Sequence, residues 1–229
     1  MNLRVEVINC GVYGYNVNEE SIRFAELIEL LNPDIVLIGY ELGDLLPNPV
    51  VNKAKTPVQA SPEGGNTLIE RRALIELVKE SRVVSFLAYR YTFLLKKFSL
   101  RNWESLYADD SPLWKNLTER YDRMAAGAKS RNIDFAVAII PELSNLDEHY
   151  PFTSVHERVA AMCRARGMKV VDLLPAFLGH DGPGLWIHPR DRHPNAEGHE
   201  IIAKALLAPL VGLVQARIPP GAGATTRPR

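Results

Sequence analysis

Apolar positions along this chain recur with two different periods, and their alternation predicts a succession of strand-then-helix units. Residues 3–8 (LRVEVI) are rich in β-branched side chains and run into a glycine-containing turn, so they are predicted to form a strand. Over residues 21–31 the apolar side chains Ile22, Phe24, Ala25, Leu27, Ile28, Leu30 and Leu31 fall at helical spacing, with Asn18 as the expected cap and Asn32-Pro33 as the stop. Residues 35–39 (IVLIG) form an unbroken apolar run, the pattern of a strand covered by helices on both faces. The same order returns later: a strand at 135–140 (FAVAII), a helix at 154–166, a strand at 169–172, and a closing helix at 196–214. Repeated β-then-α order implies right-handed crossovers and a parallel sheet.

Two stretches interrupt this rhythm. Residues 45–66 are rich in Pro, Asn, Gly and Ser, which predicts a long loop over the top of the domain. Residues 67–98 then read as helical with a break near Ser81, and 112–130 as an amphipathic helix carrying Leu113, Trp114, Leu117, Tyr121 and Met124. The expected organisation is a single domain over residues 1–216 with a helical insertion at about 67–131. The tail at 217–229, which includes PPGAGATTRPR, has too little apolar surface to order itself.

Composition narrows the class of partner. Lys+Arg and Asp+Glu both number 27, giving zero formal net charge over 229 residues, and no basic stripe points to nucleic acid. A small or neutral ligand is the expectation. Cys10 and Cys163 are far apart, with no CxxC or Cys/His metal spacing, so both are expected to be buried thiols rather than a disulfide or zinc site. The apolar run at 83–98 is short for a membrane span and holds Arg90 at its centre, so it reads as a packed helix. No signal peptide is visible at Met1, which as it stands points to the cytoplasm, although a leader or anchor upstream is compatible with the same text. Nothing sets the oligomeric state.

In open parallel sheets ligands bind at the carboxyl ends of the strands, which directs attention to three segments: Asn9 to Asn16 (NCGVYGYN), Gly39 to Asp44 (GYELGD), and Asp191 to His199 (DRHPNAEGH). In the last, the Asp191 carboxylate can accept a hydrogen bond from one ring nitrogen of His193 and leave the other as a general base, while Asn195 caps the helix that begins at Ala196. A loop histidine followed by a capping asparagine explains the same residues without chemistry. Gly11 and Gly14 allow close backbone approach, and an N–H near Gly14 can donate to an oxyanion, although tight turns need glycine for steric reasons too. Asp44 reads either as a turn former or as a residue near a site. His188 and His199 add imidazoles near Asp191 and His193, but the spacing does not make a metal set.

Taken in order, these segments resemble blocks of the SGNH/GDSL hydrolase family. NCGVYGYN is similar to its second block, GYELGD stands where its third would be, and DRHPNAEGHEIIA is similar to its last, with FAVAIIPEL, VVDLLPAF and LWIHP in matching places. The resemblance runs from Arg4 to about Ala205. It implies a flavodoxin-like three-layer α/β/α sandwich on a parallel sheet, and hydrolysis of a small-molecule, carbohydrate or lipid ester through an acyl-enzyme. On this sequence it assigns His193 as base, Asp191 as its orienter and Gly14 to the oxyanion hole. It implies no metal and no organic cofactor.

Two positions depart from the pattern. The family's Gly-Asp-Ser block follows a first strand that would lie upstream of residues 3–8, and none of the ten serines here follows Gly-Asp. The nearest imitation, Asp109-Asp110-Ser111, is expected to be a helix cap. The resemblance thus places the first strand and its serine before Met1, and strand order 2-1-3-4-5 would leave residues 3–8 either paired directly with 35–39 or without a neighbour. The second departure is Gly43, which stands where the family has an asparagine amide donor; losing one such donor costs roughly 10²- to 10³-fold in rate. The alternative expectation is a catalytically inactive SGNH-like protein that keeps a ligand pocket.

Overall fold

The computed structural model describes residues 5–47, 103–189 and 191–218. The chain divides into two compact units, residues 1–47 with 109–229, and residues 48–108. Of the second, only a single helical turn, Trp103–Leu106, opens the described part. The expected loop at 45–66 lies almost wholly outside the described residues, and the expected helices at 67–98 and the tail beyond 218 lie wholly outside them.

The first unit is a mixed α/β structure around a parallel three-stranded sheet. Its strands are β1 (Ile35–Glu41), β2 (Asp134–Ile140) and β3 (Lys169–Asp172), in that spatial order. β1 pairs with β2 from Ile35 opposite Asp134 to Glu41 opposite Ile140, and β2 pairs with β3 from Ala136 opposite Lys169. All three carboxyl ends therefore face one rim.

Helix α1 (Val17–Leu31) begins earlier than its apolar period suggested, because Asn16 rather than Asn18 is the cap. The Asn16 side chain accepts from Asn18 N–H at 2.9 Å, Glu19 returns a bond to Asn16 N–H at 3.2 Å, and Asn16 Nδ2 donates to the Leu46 carbonyl at 3.0 Å. That reciprocal capping box is what its sequence Asn-x-x-Glu specifies. Helix α2 (Pro112–Ser130) starts at Ser111, whose hydroxyl accepts from Trp114 N–H at 3.5 Å, so Ser111 is a cap as expected. Its buried face, Trp114, Leu117, Tyr121, Met124 and Ala128, packs on α1 and β2 within the first unit. Helix α3 (Thr153–Ala165) packs on β2 and β3, and α4 (Ala196–Ala216) ends the described chain.

The core lies around β2, where Ala136, Val137 and Ile139 are fully buried. β1 has the same unbroken apolar sequence, yet Leu37 is 37 % exposed. The difference is position: β2 has a strand on each side, and β1 is an edge among the described residues.

Of the predicted strand at residues 3–8, the described part, 5–8, is not in the sheet. Residues 5–8 carry no strand assignment, and Val5, Val7 and Ile8 are exposed, Val7 by 86 %. β-branched composition favours a pleated, half-buried surface but cannot supply the neighbour whose N–H and C=O groups would complete a ladder. The described residues 5–8 do not pair with β1 as strand to strand, the first of the two outcomes expected.

The cysteine expectation also needs correction. Cys163 is buried and burial pushes its thiol up to about 12, but Cys10 is only half-buried. Among the described residues α4 alone is long and apolar enough to cross a membrane by length and composition, and none of its apolar window is buried. It carries Glu197, Glu200 and Lys204 in its first half, and by itself it is weak evidence for a span.

Candidate functional site

His193 and Asp191 lie on a two-stranded antiparallel sheet separate from the main one, formed by β4 (Trp186–His188) and β5 (Asp191–Pro194). Alternation along β5 points Asp191 and His193 to solvent and turns Arg192 and Pro194 inward. The two outward side chains meet: Asp191 Oδ1 is bonded to His193 Nδ1, and it also accepts the His193 backbone N–H at 3.1 Å. The hydrogen bond from Asp191 raises the His193 imidazole above its ordinary value; partial burial opposes this, and the Asp191 and Glu41 charges add to the rise. The same bonds hold the Asp191 carboxyl below its usual range. No described residue hydrogen-bonds His193 Nε2, the second ring nitrogen.

The hairpin sits at the carboxyl rim of the sheet. Glu41, the last residue of β1, is close enough for its charge to act on His193, and Arg192 Nη1 reaches Glu142, two residues beyond β2, at 2.9 Å. The glycine turn comes to the same place. The Tyr13 ring is centred 6.5 Å from that of His193, and Gly14 beside it has φ 76°, a left-handed conformation that favours glycine. The structure therefore brings Asp191, His193 and the turn carrying Gly14 together.

Gly43 and Asp44 lie in the 3-10 turn Leu42–Leu45 that continues β1. A Cβ at Gly43 would meet nothing, so close packing does not demand glycine there, and no amide donor arises from this position. Asp44 turns back to accept the Glu41 N–H at 2.7 Å. Withdrawal from water, reinforced by the Glu20 and Glu41 charges, pushes the Asp44 carboxyl up to about 8. Glu20 rises to about 7, again mainly by withdrawal from water and then by Glu19 and Glu41. Asn195 caps α4, accepting Gly198 N–H at 3.1 Å, and its amide donates to the Gly184 carbonyl at 2.8 Å and the Trp186 carbonyl at 3.4 Å. It fixes the turn after His193 rather than facing the imidazole. Among the described residues no group of three or more His, Cys, Asp or Glu side chains forms a metal site, so His188 and His199 do not extend the pair into one.

A second polar group at this rim carries no signal in the spacing of the sequence. Fully buried His156 directs Nδ1 to Asp172 Oδ1 at 2.8 Å, and its Nε2 lies 3.2 Å from the Tyr150 hydroxyl, which accepts Glu142 N–H at 2.9 Å. Burial alone would raise the Asp172 carboxyl, but hydrogen bonds from His156 and from Leu174 N–H outweigh it and hold it below its usual range. With every polar atom of His156 engaged inside the protein, this arrangement braces the loops after β2 and β3. Ser144 gives its hydroxyl to Glu142 Oε2, not to His193.

No protein-family model, no curated protein and no solved structure matches this chain.

Proposed function

We propose that this chain carries the base half of an SGNH/GDSL-type serine ester hydrolase, with a flavodoxin-like arrangement of its sheet and helices. The observation that supports the reading best is the Asp191–His193 pair standing at the carboxyl rim beside the Gly14 turn, with Nε2 directed away from its carboxylate partner. In this reading Asp191 fixes the tautomer that carries hydrogen on Nδ1, and Nε2 takes the proton of a serine hydroxyl as that oxygen attacks the ester carbonyl. His193 then returns the proton to the leaving alkoxide, and the acyl-enzyme is hydrolysed by water activated in the same way. Backbone N–H groups around Gly14 would face the developing oxyanion. The serine is the group that the described residues do not place at His193, and the reading requires one there.

A second reading has its own support. Gly43 offers no amide where the family has one, and no described serine reaches Nε2; both features suit a ligand-binding relative that has lost its chemistry.

Hydrolysis of p-nitrophenyl acetate by the 229-residue chain and by any longer product of the same gene separates the two. The hydrolase reading expects turnover from a form that contains a Gly-Asp-Ser serine, with His193→Ala lowering kcat by roughly 10²- to 10⁴-fold. Turnover from such a form that is indifferent to His193→Ala refutes it; absence of turnover from every form leaves the binding reading.

A further inference from the structure

The Asp191–His193 pair rests on a short hairpin, held at its end by the Asn195 bonds to Gly184 and Trp186. β4 and β5 comprise three and four residues and form a two-stranded sheet of their own, and an isolated pair of strands is at best marginally stable. Both functional side chains are about half exposed, so their own burial does not anchor them. What fixes the hairpin is on its inner face. Arg192 Nη1 donates to Glu142 Oε1 at 2.9 Å and contacts Ser144 Oγ at 3.4 Å, and its guanidinium lies 5.0 Å from the centre of the Trp186 ring on the neighbouring strand. Trp186 Nε1 in turn donates to the Leu143 carbonyl at 2.7 Å.

Glu142 is itself tied from three directions. Its second carboxylate oxygen accepts Ser144 N–H at 2.9 Å and the Ser144 hydroxyl, and its backbone N–H donates to Tyr150, the residue bonded to buried His156. The carboxylate thus stands on the buried group behind β2 and β3 and presents one oxygen to the hairpin. A planar guanidinium that both pairs with a carboxylate and stacks on an aromatic ring fixes direction as well as distance.

We infer that Arg192 and Glu142 are the positioning pair of this site: they dock the β4–β5 hairpin on the end of β2 and so set where His193 Nε2 meets the reacting hydroxyl. The inference rests on the hydrolase reading for its consequence in catalysis, but the docking itself does not. Because Asp191 and His193 belong to the same strand, their mutual bond survives when the hairpin loosens. Loss of Arg192 should therefore degrade placement while leaving the acid–base property of the imidazole intact. A misplacement of about 1 Å can cost 10²-fold in rate.

The experiment compares the wild-type protein with Arg192→Ala, Glu142→Gln and the exchange Arg192→Glu with Glu142→Arg, following the Trp186 indole N–H exchange rate, the NMR titration of the His193 ring, and p-nitrophenyl acetate hydrolysis. Arg192→Ala and Glu142→Gln are expected to speed indole exchange in the 229-residue chain and, in a form that contains the Gly-Asp-Ser serine, to lower kcat by roughly 10²-fold with KM and the acid limb of the pH profile unmoved, and the exchanged pair to recover part of both losses. An upward shift of the His193 titration in Arg192→Ala would show that the cation acts on the imidazole through its charge, and would overturn the positioning role. Unchanged indole exchange with undiminished turnover would overturn it while leaving the hydrolase reading intact. If no form hydrolyses the ester, that reading fails, and the exchange rate alone decides the docking: faster in both single variants upholds it, unchanged overturns it.

Discussion

Replacing Asp44 by asparagine should stabilise this protein at neutral pH and leave it nearly unaffected in acid. The Asp44 carboxyl is withdrawn from water and faces Glu20 and Glu41, which pushes it up to about 8. In the unfolded chain the same group titrates near ~3.9. The folded state therefore binds the proton more tightly, and the stability associated with the protonated carboxyl is fully present below about pH 4, falls as pH rises, and is lost by the time pH passes about 8. Each unit of separation is worth ~1.4 kcal/mol, so about three units between the unfolded value and pH 7 set an upper bound of ~4 kcal/mol. Water reaches part of the turn and the ionised group can rearrange, which brings the expected gain down to ~1–2 kcal/mol. Asparagine keeps an oxygen for the Glu41 N–H bonded at 2.7 Å, so the turn itself is retained. Urea unfolding of wild type and variant from pH 4 to pH 9 reads the effect directly, as a difference that is small in acid, grows through neutrality and levels off. Glu20, raised to about 7 by its own surroundings, leaves a residual slope in both proteins. A difference that does not depend on pH, or an asparagine variant less stable than wild type at pH 8, would refute the reasoning.

Other consequences concern the imidazole and the core. His193 is raised by Asp191, so turnover in the hydrolase reading should fall as pH drops through a midpoint above the ordinary histidine value, because the protonated ring cannot accept a proton. Asp191→Asn should move that limb to lower pH and reduce kcat by roughly 10⁴-fold; a pH–rate profile with an unmoved limb would exclude His193 as the base. Leu117, fully buried between α2 and its neighbours, should cost ~2–5 kcal/mol on truncation to alanine in a denaturant titration, and a loss near zero would contradict its place in the core.

The local rules written into this chain are largely obeyed where they concern single elements. The periods of 2 and 3.6 located β2, β3, α2, α3 and α4 to within a residue or two, since a helix or strand that must bury one face announces it in its own text. The Asp191-x-His193 spacing foretold a bonded pair, because on a strand residues two apart share a face and lie within reach. Ser111 and Asn195 were legible as caps for the same kind of reason.

What depended on distant parts of the chain was not legible. The cap of α1, Asn16, was written in its own Asn-x-x-Glu box and only its bond to Leu46, thirty residues away, lay beyond the local text. Arg192 and Glu142 are fifty residues apart, and His156 and Asp172 are joined only because α3 and β3 pack side by side. Residues 3–8 and 35–39 read as equally good strands, yet the described part of one is not in the sheet and the other is paired on one edge. The sequence by itself determined which segments are apt to be helix or strand and offered Asp191 and His193 as one candidate imidazole–carboxylate pair. Tertiary structure alone decided which strands found partners, how strongly Glu20 and Asp44 feel their neighbours, and what holds the hairpin in place. The physical reason is that propensity and spacing act over a turn or a pleat, whereas hydrogen-bond ladders, desolvation and charge depend on what other segments bring to the same point in space.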